Sequence, residues 1–130
     1  MEKSKISVLI IDDEEEPREL LKKYIERHGY SAFTADNGLA GIEMLTRHEI
    51  GIVFCDIVMP KMDGIEFLRE VQKNKWQVKV IMITGNPTVE NCLDSYKNDA
   101  CHYLLKPTHR EEILQCLKKA EVSIQENDWA

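Results

Sequence analysis

The sequence predicts an α/β fold: an open, doubly wound parallel sheet of five strands with helices on both faces. Two observations carry this prediction. Apolar bursts of strand length alternate five times with segments of helical period, and such alternation calls for parallel strands joined by crossover helices. Several bursts are also nearly continuous and rich in Val and Ile, as strands buried on both faces should be. Length narrows the form. A chain of 130 residues makes one domain with a sizeable core, whereas a closed eight-stranded barrel needs about twice that.

The expected strands cover 6–11, 30–35, 50–55, 78–83 and 101–105. After the first, Leu21, Tyr24, Ile25 and His28 share one helical face, and Gly29 stops that helix. A second helix starts near Asn37-Gly38 and uses Ile42 and Leu45. A third opens after Asp63-Gly64, with Ile65, Leu68 and Val71 inward. The fourth begins at Pro87, a residue suited to a first helical turn, with Val89, Cys92, Leu93 and Tyr96 aligned. The last carries Ile113, Cys116, Leu117, Ala120 and Ile124 at helical spacing. Residues 1–125 are read as the domain, and 126–130, with a lone Trp129, as a polar tail.

Composition excludes several classes. The apolar fraction is 43%, the charged fraction 31%, and the net charge −6 with an isoelectric point near 5.2. That balance belongs to a soluble globular protein. The acidic surface disfavours sequence-independent nucleic-acid binding and anionic membranes, and no helix-turn-helix segment supports DNA recognition. No apolar run approaches a membrane span, and the first one ends in Asp12-Asp13-Glu14-Glu15-Glu16, unlike a signal peptide. The cysteines at 55, 92, 101 and 116 lack C-x-x-C spacing and read as buried thiols of a cytoplasmic protein. His28, His48, His102 and His109 show no paired metal spacing and read as surface or capping residues. Trp76 reads as a partly covered loop residue.

Open parallel sheets place their sites at the carboxyl ends of the strands. The first strand delivers Asp12 and Asp13 there, the third Asp56, the fourth Thr84 and the fifth Lys106. Clustered carboxylates repel one another unless a cation or proton intervenes. An oxygen-only set without His or Cys favours a hard divalent ion, Mg²⁺ or Mn²⁺, over Zn²⁺. A carboxylate can itself accept a phosphoryl group. Lys106 can then neutralise the equatorial oxygens and Thr84 can donate to them. Glu14 to Glu16 read as a solvated acidic start to a helix, and Asp63-Gly64 as a turn and helix start.

With these residues in place, the chain resembles the receiver domain of bacterial two-component response regulators over about residues 5 to 125. The resemblance rests on Asp12-Asp13, on Asp56-Ile57-Val58-Met59-Pro60-Lys61-Met62-Asp63-Gly64, on Thr84-Gly85, and on Tyr103-Leu104-Leu105-Lys106-Pro107. It implies a flavodoxin-like, three-layer sheet in the order 2-1-3-4-5 with five helices. It further implies that Asp56 takes a phosphoryl group from a sensor histidine kinase or a histidine phosphotransfer protein. Asp13, Asp56 and the backbone carbonyl of Val58 would hold the metal, with Asp12 assisting through water. Lys106 would meet the phosphoryl oxygens, and the Lys106–Pro107 bond would be cis. Thr84 and Tyr103 would form a two-state switch that repacks the face of the fourth helix, fifth strand and fifth helix. Val58 and Asn86 stand where the approach of water to the phosphoryl group is tuned. The output partner or domain, homodimerisation, and whether the protein continues beyond Ala130 stay open. Kinase specificity would lie around 17–24. Asn98-Asp99 stands where the family usually has a glycine, and Asn and Asp tolerate a left-handed turn. Ile50-Gly51 replaces the family's usual Pro-Asp.

Two other functions compete. A flavin electron carrier on the same sheet needs a Gly/Ser/Thr-rich phosphate cradle after the first strand, where five acids stand instead. The alternative, an aspartyl-phosphate phosphohydrolase on a similar sheet, usually carries a second acid two residues past the nucleophile, where Val58 stands; turnover of an external phosphate ester would favour it. The reading is therefore a switch that modifies itself, not an enzyme with a turnover substrate.

Overall fold

A computed structural model describes residues 6–126. Five parallel strands, β1 (Ser7–Ile11), β2 (Ser31–Ala35), β3 (Ile52–Asp56), β4 (Lys79–Thr84) and β5 (His102–Leu105), form one sheet in the order β2-β1-β3-β4-β5. They alternate with α1 (Glu15–Arg27), α2 (Gly38–Arg47), α3 (Gly64–Asn74), α4 (Val89–Lys97) and α5 (Arg110–Gln125). The expected tail lies, from residue 127 on, outside the described residues.

Strand side chains alternate between two cores, as the pleat requires. Leu9, Ile11, Val53, Cys55, Val80 and Met82 pack with Leu45 of α2 and Ile65, Leu68 and Val71 of α3. Val8, Ile10, Ile52, Phe54, Ile81 and Ile83 pack on the opposite face with Ile25 of α1 and Ile113, Cys116 and Leu117 of α5. The three central strands are therefore apolar on both faces, which explains their unbroken runs. Trp76 is half-buried and packs against the first core. Gly29 closes α1 at φ 91°, and Asp99 takes a left-handed φ of 62° before β5.

Several local expectations are corrected. β3 begins at Ile52 and includes Asp56; Gly51 forms its approach, bonded to Ser7 O at 3.0 Å and to Lys79 N at 2.8 Å. The fourth helix begins at Val89, because Thr88 supplies the cap that Pro87 cannot. Thr88 Oγ1 accepts from Asn91 N at 2.9 Å, satisfying a donor otherwise orphaned at the helix start. Its aligned Val89, Leu93 and Tyr96 face outward, 79%, 53% and 58% exposed. Cys55 and Cys116 are buried, but Cys92 and Cys101 are only half-buried; all four are free thiols. His28 and His48 end α1 and α2 and His109 precedes α5, as capping residues do. His102 instead is a half-buried residue of β5, and burial, with the Lys119 charge, lowers its pKa. No helix among the described residues is long and apolar enough to cross a membrane.

Candidate functional site

The chain turns back over the sheet between β1 and β3, so the carboxyl ends of these neighbouring strands flank a switch point. Asp12 and Asp13 follow Ile11 there, and Asp56 ends β3 beside them. One ligand atom from each of Asp12, Asp13 and Asp56 lies within 4.8 Å of the others, with Asp12 and Asp56 buried and Asp13 exposed. The group contains no His or Cys, so its donors fit a hard divalent cation.

Lys106 reaches into this cluster from the end of β5. Its Nζ donates to Asp56 Oδ2 at 2.9 Å and to Asp12 Oδ2 at 3.1 Å. Asp12 Oδ1 accepts from Glu14 N at 3.0 Å, so both Asp12 oxygens have protein partners. Burial pushes the Asp56 carboxyl above the ordinary carboxylate value; Lys106 pulls it back and the Asp12 charge raises it further. Burial by itself would lower the Lys106 pKa, but hydrogen bonds and charge from two carboxylates outweigh it and raise the ammonium above its ordinary value. The asymmetry follows from number: Lys106 faces two anions, whereas Asp56 faces one cation and one anion.

The remaining predicted residues are placed as follows. Val58 is exposed in the loop after β3, and the Lys106–Pro107 peptide is cis. Thr84 is fully buried at the end of β4, and its Oγ1 accepts from Asn86 N at 3.0 Å. Tyr103 is half-buried, and its hydroxyl donates to Asn91 Oδ1 on α4. Thus the structure brings together Asp12, Asp13, Asp56 and Lys106, while the polar groups of Thr84 and Tyr103 are engaged by the β4–α4 segment.

Three contributors escaped the sequence reading. Arg18 Nη1 donates to the Asp12 carbonyl at 3.0 Å, a contact that its place in an acidic helix start does not reveal. Gly64 packs against the Asp56 backbone, and a Cβ there would lie 2.3 Å from the Asp56 carbonyl oxygen. Asn91 gathers several bonds; its only signal in sequence is the capping-box spacing from Thr88. Beside the carboxylates, a cavity of about 460 Å³ runs along α1, lined by Pro17, Leu20, Leu21 and Tyr24 and reaching Asp56 and Lys106.

Comparison with known proteins gives a consistent result. The model of the response regulator receiver domain family matches residues 8–118. The transcriptional regulatory protein SrrA of Staphylococcus aureus is 31% identical over 111 residues, covering 85% of this chain and 46% of that protein. The chain thus spans about half the length of the curated relatives it matches. A response regulator receiver domain protein from Methanospirillum hungatei has a similar structure, with a TM-score of 0.89 at 28% identity, covering 95% of this chain and 99% of that one. A receiver domain protein from Clostridium thermocellum gives 0.82 at 30% identity, covering 88% and 93%.

Proposed function

Because the chain belongs to the response regulator receiver domain family, we propose that it is a signalling switch activated by phosphoryl transfer onto Asp56. The observation that carries this reading is the Lys106 ammonium held 2.9 Å from Asp56 Oδ2 within a cluster of three carboxylates. The donor would be a phosphohistidine of a sensor histidine kinase or a histidine phosphotransfer protein. An Asp56 carboxylate oxygen forms the new phosphorus–oxygen bond as the phosphorus–nitrogen bond breaks, and the departing imidazole takes up a proton.

In this reading Asp13, Asp56 and the Val58 carbonyl hold a Mg²⁺ or Mn²⁺ ion, and Asp12 acts through water. The division is supported by Asp12's two protein-bonded oxygens and Asp13's exposure. The ion, when bound, supplies positive charge to the transferring phosphoryl oxygens. Lys106 neutralises the same charge from the opposite side and Thr84 donates its hydroxyl. Hydrolysis of the acyl phosphate resets the domain, which is why the protein is a switch and has no separate turnover substrate. The cavity along α1 suits docking of the donor protein over 17–24, within reach of Asp56.

The output is a partner or a further domain docking on the face of α4, β5 and α5, where Val89, Leu93, Tyr96, Leu105 and Val122 are exposed. The longer SrrA, a transcriptional regulatory protein, supports an attached output for this receiver as well. The domain would span 1–125 and work in the cytoplasm.

Intact-mass spectrometry after incubation with a small phosphoryl donor tests the reading. A single phosphoryl adduct that requires Mg²⁺ and is lost in Asp56→Asn is expected. A stoichiometric adduct on the Asp56→Asn variant would move the acceptor elsewhere.

A further inference from the structure

Thr84, Asn86, Thr88, Asn91, Ser95 and Tyr103 form one connected hydrogen-bond network around the start of α4. Asn86 N donates to Thr84 Oγ1 at 3.0 Å, and Asn86 O accepts from Asn91 Nδ2 at 3.1 Å. Asn91 Oδ1 accepts both from Thr88 N, at 3.2 Å, and from the Tyr103 hydroxyl. The Asn91 backbone closes the network, its N–H donating to Thr88 Oγ1 at 2.9 Å and its carbonyl accepting from the Ser95 hydroxyl at 2.8 Å.

The chemistry of this position is narrow. The side chain must accept two hydrogen bonds at one terminus and donate one at the other, which an amide can do and a carboxylate cannot. The two donors aimed at one terminus and the acceptor at the other also settle the orientation of the amide. Residues 85 to 90 are exposed and have little packing of their own. Hydrogen bonds to half-buried Asn91 therefore hold the loop after β4, while buried Thr84 anchors its other end.

We infer that Asn91 is a positioning residue that latches Tyr103 and the β4–α4 loop in the arrangement that accompanies a free, Lys106-bound Asp56 carboxylate. The inference rests on the receiver reading. Movement of Thr84 toward a phosphoryl group on Asp56 pulls on Asn86 N; movement of Asn86 pulls on Asn91; and Asn91 then releases the Tyr103 hydroxyl. A latch specific to one of two states opposes the other by the free energy of its differential bonds. Weakening it should raise affinity for anything that selects the phosphorylated state.

The test uses beryllium fluoride, a phosphoryl mimic, titrated in the presence of Mg²⁺ and followed by Tyr103 ring and α4 amide resonances. Asn91→Ala is expected to bind it roughly three- to tenfold more tightly than wild type, the factor set by losing one or two net hydrogen bonds. Thr88→Ala, which weakens the helix cap but leaves Asn91 Oδ1 and Nδ2 their partners, should keep wild-type affinity. Asn91→Asp should fall between the two, since it keeps the acceptor and loses the donor to Asn86 O. Equal or weaker binding by folded Asn91→Ala would overturn the latch while leaving the receiver reading intact. Tightening by Thr88→Ala equal to that of Asn91→Ala would also overturn it, by assigning the effect to the helix end. Failure of wild type to bind the mimic and to take up a phosphoryl group would bring down both.

Discussion

Lys106 Nζ lies 2.9 Å from Asp56 Oδ2 although 50 residues separate the two in sequence. β4 stands between their strands, so the lysine stem crosses over the end of β4 to reach the carboxylate. It runs beside Gly85, where an added Cβ would sit 3.7 Å from Lys106 Cβ, an ordinary contact distance. The same ammonium holds Asp12, so one cation offsets two buried anions and leaves exposed Asp13 outside the pairing. The cluster keeps net negative charge, as a cation site requires.

Lys106→Ala should separate modification from its consequence. Asp56 remains to accept the phosphoryl group, but nothing then ties that group to the end of β5. We expect labelling without the amide chemical-shift changes that phosphorylation causes in wild type around Thr84 and α4. Shifts matching those of phosphorylated wild type would refute the role. The loss of two charge-assisted bonds should also cost about 1–2 kcal/mol in urea unfolding, a low figure because the lysine is partly exposed.

Asp56→Asn should stabilise the apoprotein, and increasingly so as pH rises. Burial raises the folded-state pKa of Asp56 above its unfolded value. The unfolded chain therefore releases this proton at lower pH than the folded one, and folding is penalised from the ordinary carboxylate value upward until the raised folded value is passed. Asparagine does not titrate. The variant's advantage in urea midpoint, measured without divalent ions from pH 3.5 to 7, should grow through that window and then level off. An advantage that shrinks with rising pH would reverse the assigned sign.

Metal should stabilise the wild type by mass action, about 2.7 kcal/mol when free Mg²⁺ is a hundred times its dissociation constant. Asp13→Asn should lose most of that gain while changing little in EDTA, because Asp13 is exposed and lies outside the Lys106 pairing. Thermal unfolding with and without Mg²⁺ checks this. An undiminished Mg²⁺ response in the variant would remove Asp13 from the ligand set.

Asp12, Asp56 and Lys106 were legible because each closes a strand-length apolar burst, and the ends of parallel strands must share an edge. The alternation of bursts and helical periods was enough for the layers for the same reason. What periodicity does not carry is whether a helical face meets a core. Val89, Leu93 and Tyr96 align as a buried stripe would, yet they face outward. The part played by Asn91 was hidden for a related reason. In sequence Thr88 and Asn91 carry only capping-box spacing, and the meeting of Asn91 with Tyr103 depends on where the fold places α4 relative to β5. Arg18 and Gly64 meet backbone atoms of Asp12, Asp56 and Ile57, and such contacts leave no trace in side-chain pattern.

Gly64→Ala should injure the site without touching a functional group. Gly64 N donates to Ile57 O at 2.8 Å, drawing the first turn of α3 against the end of β3. A Cβ would lie 2.3 Å from Asp56 O and 2.8 Å from Ile57 Cα, and both are backbone atoms that no rotamer change can move. The helix start cannot easily yield either. Asp63 Oδ1 accepts from Glu66 N at 2.9 Å, and Asp63 N donates to Glu66 Oε1 at 3.1 Å, closing a capping box. Relief therefore falls partly on the Asp56 backbone. The cost should reach the upper end of the overpacking range, about 3 kcal/mol. Phosphoryl uptake should slow by up to about a hundredfold, the scale of a misplaced reacting group. Gly85→Ala, with nothing nearer than 3.7 Å, is the control and should stay within about 0.5 kcal/mol of wild type. Uptake by Gly64→Ala at the wild-type rate would show that β3 and α3 can separate without moving the acceptor.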